Sequence, residues 1–317
     1  MRVLVTGSAG FIGRTTTESL ARAGFEVTGV DRVAGHRSGQ AAVELELDIA
    51  DPTLLRAVGR GDFEAVIHLA AIVDTTSRDR RLMVRENTEK ALELATAAGR
   101  GGATLLAASS FAVYGAVEGR TAIREGEELD GRCSGPLTPY AESKLLLERG
   151  LGEVLEGAPF WAALRFTNVF GPCEERKGAM ASMAWKVAAA SAAGSRIELF
   201  DDTLDAARDY VPVAVVAERL RAMIPGDGEP GVYNMGSGTA VSFAELLDWC
   251  RARSPRDPEV ALVPNPHVGA YQYWTCADMQ RWGSQFGDRE QDGALSRDQL
   301  RAAVERLVDR LGREGRC

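Results

Sequence analysis

Three glycines spaced three apart, Gly7, Gly10 and Gly13, stand directly after the apolar run RVLVT at 2–6 and directly before helical sequence. A strand that turns at once into a helix needs backbone free to take positive φ and to pack closely, and glycine allows both. The free amides at the start of such a helix, together with its dipole, favour a phosphate group. The spacing is G-x-x-G-x-x-G rather than the simplest G-x-G-x-x-G fingerprint, yet its place between strand and helix is that of a pyrophosphate cradle. Gly7, Gly10, Phe11, Ile12 and Gly13 are therefore candidate cofactor contacts.

The first half of the chain alternates short β-rich runs with longer helical stretches. The runs are RVLVT at 2–6, EVTGV at 26–30, VELEL at 43–47, AVIHLA at 65–70, TLLAAS at 104–109 and FWAALRF at 160–166, and all read as fully buried strands. Helical stretches include Arg80 to Ala98, with Leu82, Met83, Leu92 and Leu94 apolar, and Tyr140 to Glu156, with Leu145, Leu146, Leu147, Val154 and Leu155. This pattern predicts an α/β fold with a doubly wound parallel sheet. After Phe166, loops rich in charge and glycine at 171–178, 201–209 and 225–231 interrupt shorter elements, the texture of a second, smaller lobe. The run at 211–224 reads as strand then helix and returns the chain to the first lobe; the Ala-rich stretch at 187–193 reads as helix, as does Ser296 to Leu311. Residues 1–167 with about 209–240 are expected to bind a dinucleotide, and 168–208 with about 241–317 the substrate.

Composition excludes some classes. Lys and Arg number 37 against 45 Asp and Glu, so no basic excess exists to neutralise a nucleic-acid backbone. No apolar run approaches the roughly 20 residues a membrane span needs, and a cytoplasmic location is expected. The cysteines at 133, 173, 250, 276 and 317 form no C-x-x-C pair or Cys/His cluster, so reduced thiols and no metal site are expected.

Several residues carry chemistry. Asp31 closes the second strand, where a carboxylate accepts from the adenosine ribose and favours NAD; Arg32, with Arg37 beyond it, could instead hold the 2′-phosphate of NADP. Asp31 inclines the choice to NAD and leaves NADP as the alternative. Asp48 follows the third strand and suits an adenine-edge contact or a helix cap equally. Thr138 and Pro139 read as N-cap and first helical residue, which puts Tyr140 in the opening turn and Lys144 one turn on, on the same face. A tyrosine is a poor base at a pKa of about 10, but a nearby ammonium and an oxidised nicotinamide both favour its phenolate. Ser110 ends the fifth strand, at the carboxyl edge where ligands bind in open α/β sheets. His68 reads as a packing residue near the cofactor; His36 and His267 have no evident partners. The tryptophans read mostly as packing, with Trp274 close enough to Tyr271 to reach a nucleotide base.

The set TGSAGFIG, His68-Leu69-Ala70-Ala71, SSFAVYG and YAESK resembles an extended short-chain dehydrogenase/reductase of the nucleotide-sugar epimerase/dehydratase class, with further matches at Asn87, RFTNVFGP (165–172), RDYV (208–211) and YNMGSG (233–238). The resemblance covers essentially the whole chain. It implies a Rossmann lobe, a C-terminal lobe for a nucleotide-sugar substrate, and a homodimer or higher homo-oligomer joined through helices starting near Arg80 and Tyr140. It further implies cofactor contacts from Ile49, Leu69, Ala70, Ala71, Asn87, Lys144 and Val169, and substrate contacts from Ser110, Asn168, Ala179, Lys186, Phe200, Arg208 and Tyr271. Dehydratases of this class carry an Asp-Glu pair after the strand-end hydroxyl; Phe111-Ala112 stand there, so dehydration is not expected.

The stretch Asn168 to Ser182, with LDIAD (47–51), ELFDDT (198–203) and Tyr271-Gln272, is similar to the branch of the family that epimerises ADP-heptoses at C6. That likeness gives Lys177 a role. An epimerase that oxidises a carbinol and re-reduces the ketone on its other face handles the hydroxyl proton from two directions, so Tyr140 serves one epimer and Lys177 the other. Departures stand on the implied substrate surface: Ala179 for serine, Lys186 for histidine, Asp201-Asp202-Thr203 for Glu-Gly-Ser and Ala270 for arginine. They leave sugar, carbon and nucleotide base open. Arg208 is expected on the diphosphate, which its planar donor fork suits. The resulting expectation is an NAD(P)-dependent epimerase of an ADP-heptose or related sugar. The alternatives are a C4 or C3 epimerase or reductase of another nucleotide sugar and, from a different class, a non-catalytic NAD(P)-sensing protein.

Overall fold

Alternate residues of a strand point to opposite faces, and the first strand shows why this chain folds as a layered sheet. In β1 (Arg2–Thr6), Val3 and Val5 join the core on one face and Leu4 the core on the other, all fully buried. The computed structural model describes residues 1–33, 43–129, 131–254, 256–266, 268, 271–287 and 293–314.

After β1 come α1 (Phe11–Arg22), β2 (Glu26–Asp31), β3 (Val43–Glu46), α2 (Pro52–Gly59), β4 (Ala65–His68), α3 (Arg80–Val84), α4 (Lys90–Gly101), β5 (Thr104–Ser110), α5 (Pro139–Val154) and β6 (Trp161–Phe166). The strands lie where periodicity puts them. The stretch Arg80 to Ala98, read as helical, is helical throughout, with a π-helical turn at Arg85–Glu89 between α3 and α4. Thr138 caps α5 by accepting from Ala141 N at 3.2 Å, and Pro139 opens the helix.

The second half runs β7 (Asn168–Phe170), α6 (Met183–Ala193), β8 (Arg196–Phe200), β9 (Ala207–Pro212), α7 (Val213–Met223), β10 (Gly231–Met235), β11 (Ala240–Ser242), α8 (Phe243–Arg253), β12 (Glu259–Val263), α9 (Gln280–Phe286) and α10 (Arg297–Glu314). Seven strands form one parallel sheet in the order β10-β6-β5-β4-β1-β2-β3. Strand order reverses between β1 and β4, the crevice at which open α/β sheets bind ligands. The side holding Leu20 of α1 and Val216 and Leu220 of α7 is one core; Leu54 of α2, Leu94 of α4 and Leu147 of α5 belong to the other. One strand departs from its expected burial. β3 ends the sheet, so with a neighbour on one side only it leaves Val43 and Leu45 exposed.

A three-stranded sheet, β11-β9-β7, and a two-stranded one, β12-β8, lie outside this layer. Their core gathers Ala184 and Ala188 of α6, Leu246 of α8 and Leu300 and Val304 of α10. The strand-then-helix run at 211–224 closes β9 and forms α7, after which β10 extends the large sheet. Cys133, Cys250 and Cys276 are free and buried. Cys173 is disulfide-bonded, which corrects the expectation of a reduced thiol there; sequence spacing carries no information on which sulfurs the fold brings close. Among the described residues no helix is long and apolar enough to cross a membrane, and no three His, Cys, Asp or Glu side chains gather as a metal site.

Candidate active site

The glycine loop packs tightly against the end of β4. Gly7 takes a φ of 70°, and a Cβ there would lie 2.7 Å from Ala70 N; one on Gly13 would lie 2.0 Å from Gly7 O. Side chains at either position would break the turn. Asp31, at the end of β2, accepts from Ala9 N at 3.1 Å and Val33 N at 3.2 Å, tying the strand end to the loop. Arg32 donates to Glu86 at 2.8 Å and lies 3.8 Å from Asp48, while Lys90 donates to Asp48 at 2.8 Å and to Glu86 at 3.0 Å. Burial tends to raise the Asp48 pKa, but Lys90 and Arg32 outweigh it and hold the carboxyl below its ordinary range. Asp48 does not cap α2. Asp51 does, accepting from Thr53 N at 2.7 Å and Leu54 N at 3.3 Å. Arg37 and His36 lie outside the described residues, as do His267 and Ala270.

At the other end of the crevice, Lys144 is buried and donates to Ala108 O at 2.8 Å. Burial lowers its pKa to about 8, with Glu148 opposing. Tyr140 is buried too, and burial raises its phenol pKa against the opposing hydrogen bond with Ser110. Desolvation dominates the phenol, and the Lys144 ammonium donates to a backbone carbonyl. Ser110 also accepts from Ala112 N at 3.2 Å. His68 lies 2.8 Å from Thr6 Oγ1 through Nδ1, and burial, then Lys144, lowers its pKa to about 3, so it packs as a neutral ring.

The loop before α6 brings the remaining cations. Lys177 donates to Glu174 at 2.9 Å and sits 5.3 Å from the Phe11 ring centre. Glu174, fully buried, also accepts from Ser182 N at 2.6 Å and Ser182 Oγ at 2.9 Å, and Ser182 caps α6. Lys186 donates to Ala179 O at 2.8 Å; burial lowers its pKa, with Glu174 opposing and Lys177 reinforcing. Phe200 and Tyr271 meet edge to face at 5.9 Å.

These groups open on one cleft of about 1360 Å³. That exceeds the roughly 300–1,000 Å³ of a site for one small ligand and has room for two. Every candidate residue lines it except Asn87 and Arg208. Asn87 points inward instead, accepting from Ile72 N at 2.8 Å and donating to Ile72 O at 3.0 Å, so it clamps the segment after β4. Arg208 lies behind the wall, 4.9 Å from the Tyr271 ring and 6.0 Å from Phe243, with Nη1 buried and unpaired among the described residues. The Tyr271 ring and its side-chain hydrogen bond hold it there against the cost of desolvation. Trp274 is absent from the lining and packs against the large core. Sequence reasoning missed Glu86, Arg176, Met180 and Phe243 on the wall and Glu174 behind Lys177. Glu174 stands three residues before Lys177, a spacing that could have suggested the pair.

A doubly wound sheet with a glycine loop at β1 and a Ser-Tyr-Lys set on the cleft defines the extended short-chain dehydrogenase/reductase class. The chain belongs to the NAD-dependent epimerase/dehydratase family, whose model matches residues 3–236. Among solved structures it is similar to Helicobacter pylori ADP-L-glycero-D-manno-heptose-6-epimerase, at 23% identity over 98% of this chain and 96% of that one, with a TM-score of 0.82. It also resembles Thermus thermophilus UDP-glucose 4-epimerase solved with NAD, at 27% identity, 98% coverage of both chains and a TM-score of 0.78. Thermotoga maritima UDP-glucose 4-epimerase, solved with UDP-glucose, matches at 22% identity, 98% coverage of both chains and a TM-score of 0.80.

Proposed function

We propose that this protein is an NAD-dependent nucleotide-sugar epimerase that oxidises a carbinol to a ketone and re-reduces it on the opposite face, with an ADP-heptose or related sugar as substrate. One observation carries this: Ser110, Tyr140, Lys144 and Lys177 all open on a single cleft large enough for a dinucleotide and a nucleotide sugar together. The cradle fits NAD, because Gly7 and Gly13 leave the phosphate side of the loop free of side chains and Asp31 stands at the end of β2. When bound, NAD takes up and returns the hydride. Residues 1–167 with about 209–240 would hold it, and 168–208 with about 241–317 the nucleotide sugar. Two copies of the chain are expected to associate through the helices that begin near Arg80 and Tyr140.

The chain's own groups would do the rest. Ser110 donates to the carbinol or ketone oxygen and orients it. Tyr140, as phenolate, would accept the hydroxyl proton of one epimer and return it as phenol; Lys177, as free amine, would accept that of the other and return it as ammonium, beside Glu174. Lys144, pinned to Ala108 O, shapes the ribose side of the crevice. Phe200 and Tyr271 supply aromatic faces for the base. Phe111 is buried beside Ser110, so no carboxylate stands there to eliminate water.

Incubation with ADP-heptose, followed by NMR in deuterated water, tests this. Inversion at C6 with no solvent deuterium at that carbon and no net NADH change is expected. Unchanged stereochemistry removes that substrate, and net NADH consumption replaces epimerisation by reduction. A second reading, C4 or C3 epimerisation of another nucleotide sugar, is favoured by Ala179, Lys186 and Thr203 on the cleft wall. UDP-sugars in the same assay distinguish it.

A further inference from the structure

At the ribose end of the cleft, Arg32 is the cation next to Asp31 and the natural partner for a 2′-phosphate. Its guanidinium is already engaged. The nearest carboxylate is Glu86, 2.8 Å away and only 10% exposed, presented by the π-helical turn between α3 and α4. That turn is itself anchored, since the next residue, Asn87, bonds both backbone groups of Ile72. The cluster comprises three carboxylates, Asp31, Asp48 and Glu86, and three cations, Arg32, Lys90 and Arg85; Lys90 is shared between Asp48 and Glu86, and Arg85 lies 3.7 Å from Glu86. A doubly charged phosphate brought here meets no excess of positive charge and a guanidinium already paired.

We propose that Glu86 sets the cofactor preference of this site, holding Arg32 away from a 2′-phosphate so that the dinucleotide lacking one, NAD, is selected over NADP. This rests on the reading that the cleft binds a nicotinamide dinucleotide. It adds a second discriminating group, on the π-helical turn after β4, to Asp31 at the end of β2, whose carboxylate favours a free 2′-hydroxyl.

Titrating NADH and NADPH into the full chain while following nicotinamide fluorescence tests it without any sugar substrate. Wild type should bind NADH more tightly. Glu86→Gln keeps the side-chain shape but removes its charge, and should raise NADPH affinity relative to NADH about tenfold, the worth of one charge-assisted hydrogen bond. Glu86→Ala, which removes the acceptor altogether, should do so at least as strongly and serves if the glutamine variant folds poorly. Adding Arg32→Ala to either should cancel the gain, a coupling that a merely structural role for Glu86 would not produce. An unchanged NADPH-to-NADH ratio, or a gain that survives loss of Arg32, overturns the proposal while leaving the dinucleotide reading intact. Wild type that binds neither cofactor overturns both.

Discussion

Lys177 is the residue whose removal says most about the chemistry, because it is the proton-handling group that reaches the cleft from the loop before α6 rather than from α5. Epimerisation in both directions shares one equilibrium constant, so Lys177→Met must slow net turnover both ways, by about 10²–10⁴-fold for a lost acid–base group. The asymmetry belongs to the half-reactions. In single-turnover absorbance measurements, one epimer should still reduce bound NAD and the other should not; equal bursts from both would end the assignment. His68 makes a separate prediction. Its folded pKa of about 3 lies below the unfolded value of 6.5, so its contribution to stability is present above pH 6.5 and is lost as pH falls through 3. The unfolding free energy of wild type, measured in urea, should fall across that window by up to a few kcal/mol more than that of His68→Gln. Both residues were visible in the sequence, but their partners were not. Nothing in the order of residues tells that Arg32 turns to Glu86, 54 positions away, or that Arg208 stacks behind Tyr271.

Between elements, the join of β6 to α5 is electrostatic as well as apolar. Arg165 is buried, donates to Glu148 at 2.9 and 2.7 Å and to Glu128 at 2.9 Å, and lies 4.6 Å from the Tyr114 ring centre. Arg165→Met should cost about 3–5 kcal/mol in chemical denaturation, because it strands the buried Glu148 charge. Arg165→Met with Glu148→Leu should recover most of that, and failure to recover would show that the pair is not the reason. At this scale the strands were legible from two-residue and apolar periodicity. The exposure of β3 was not, since a run such as VELEL looks the same in the middle of a sheet and at its edge. The π-helical turn at Arg85–Glu89 was hidden for a related reason: it is defined by a hydrogen-bond register, and it is this turn that aims Glu86 at the cleft and Asn87 at Ile72.

For the molecule as a whole, the cleft predicts its own stabilisation. NADH at 100 times its dissociation constant should raise the unfolding free energy by about 2.7 kcal/mol, and the melting midpoint by a few degrees, with the gain lost when the cofactor is dialysed away. A midpoint that does not move under saturating NADH would mean the glycine cradle holds something else. The sequence by itself determined the parallel layered sheet, the glycine loop at its first turn and the Tyr140–Lys144 face of α5, because each depends on neighbours within one strand or one helical turn. Only the tertiary structure decided that Glu86 holds Arg32, that Asn87 bonds Ile72 and that Arg208 stacks on Tyr271. A buried charge or amide takes whichever partner packing delivers, and packing joins residues that the chain keeps far apart.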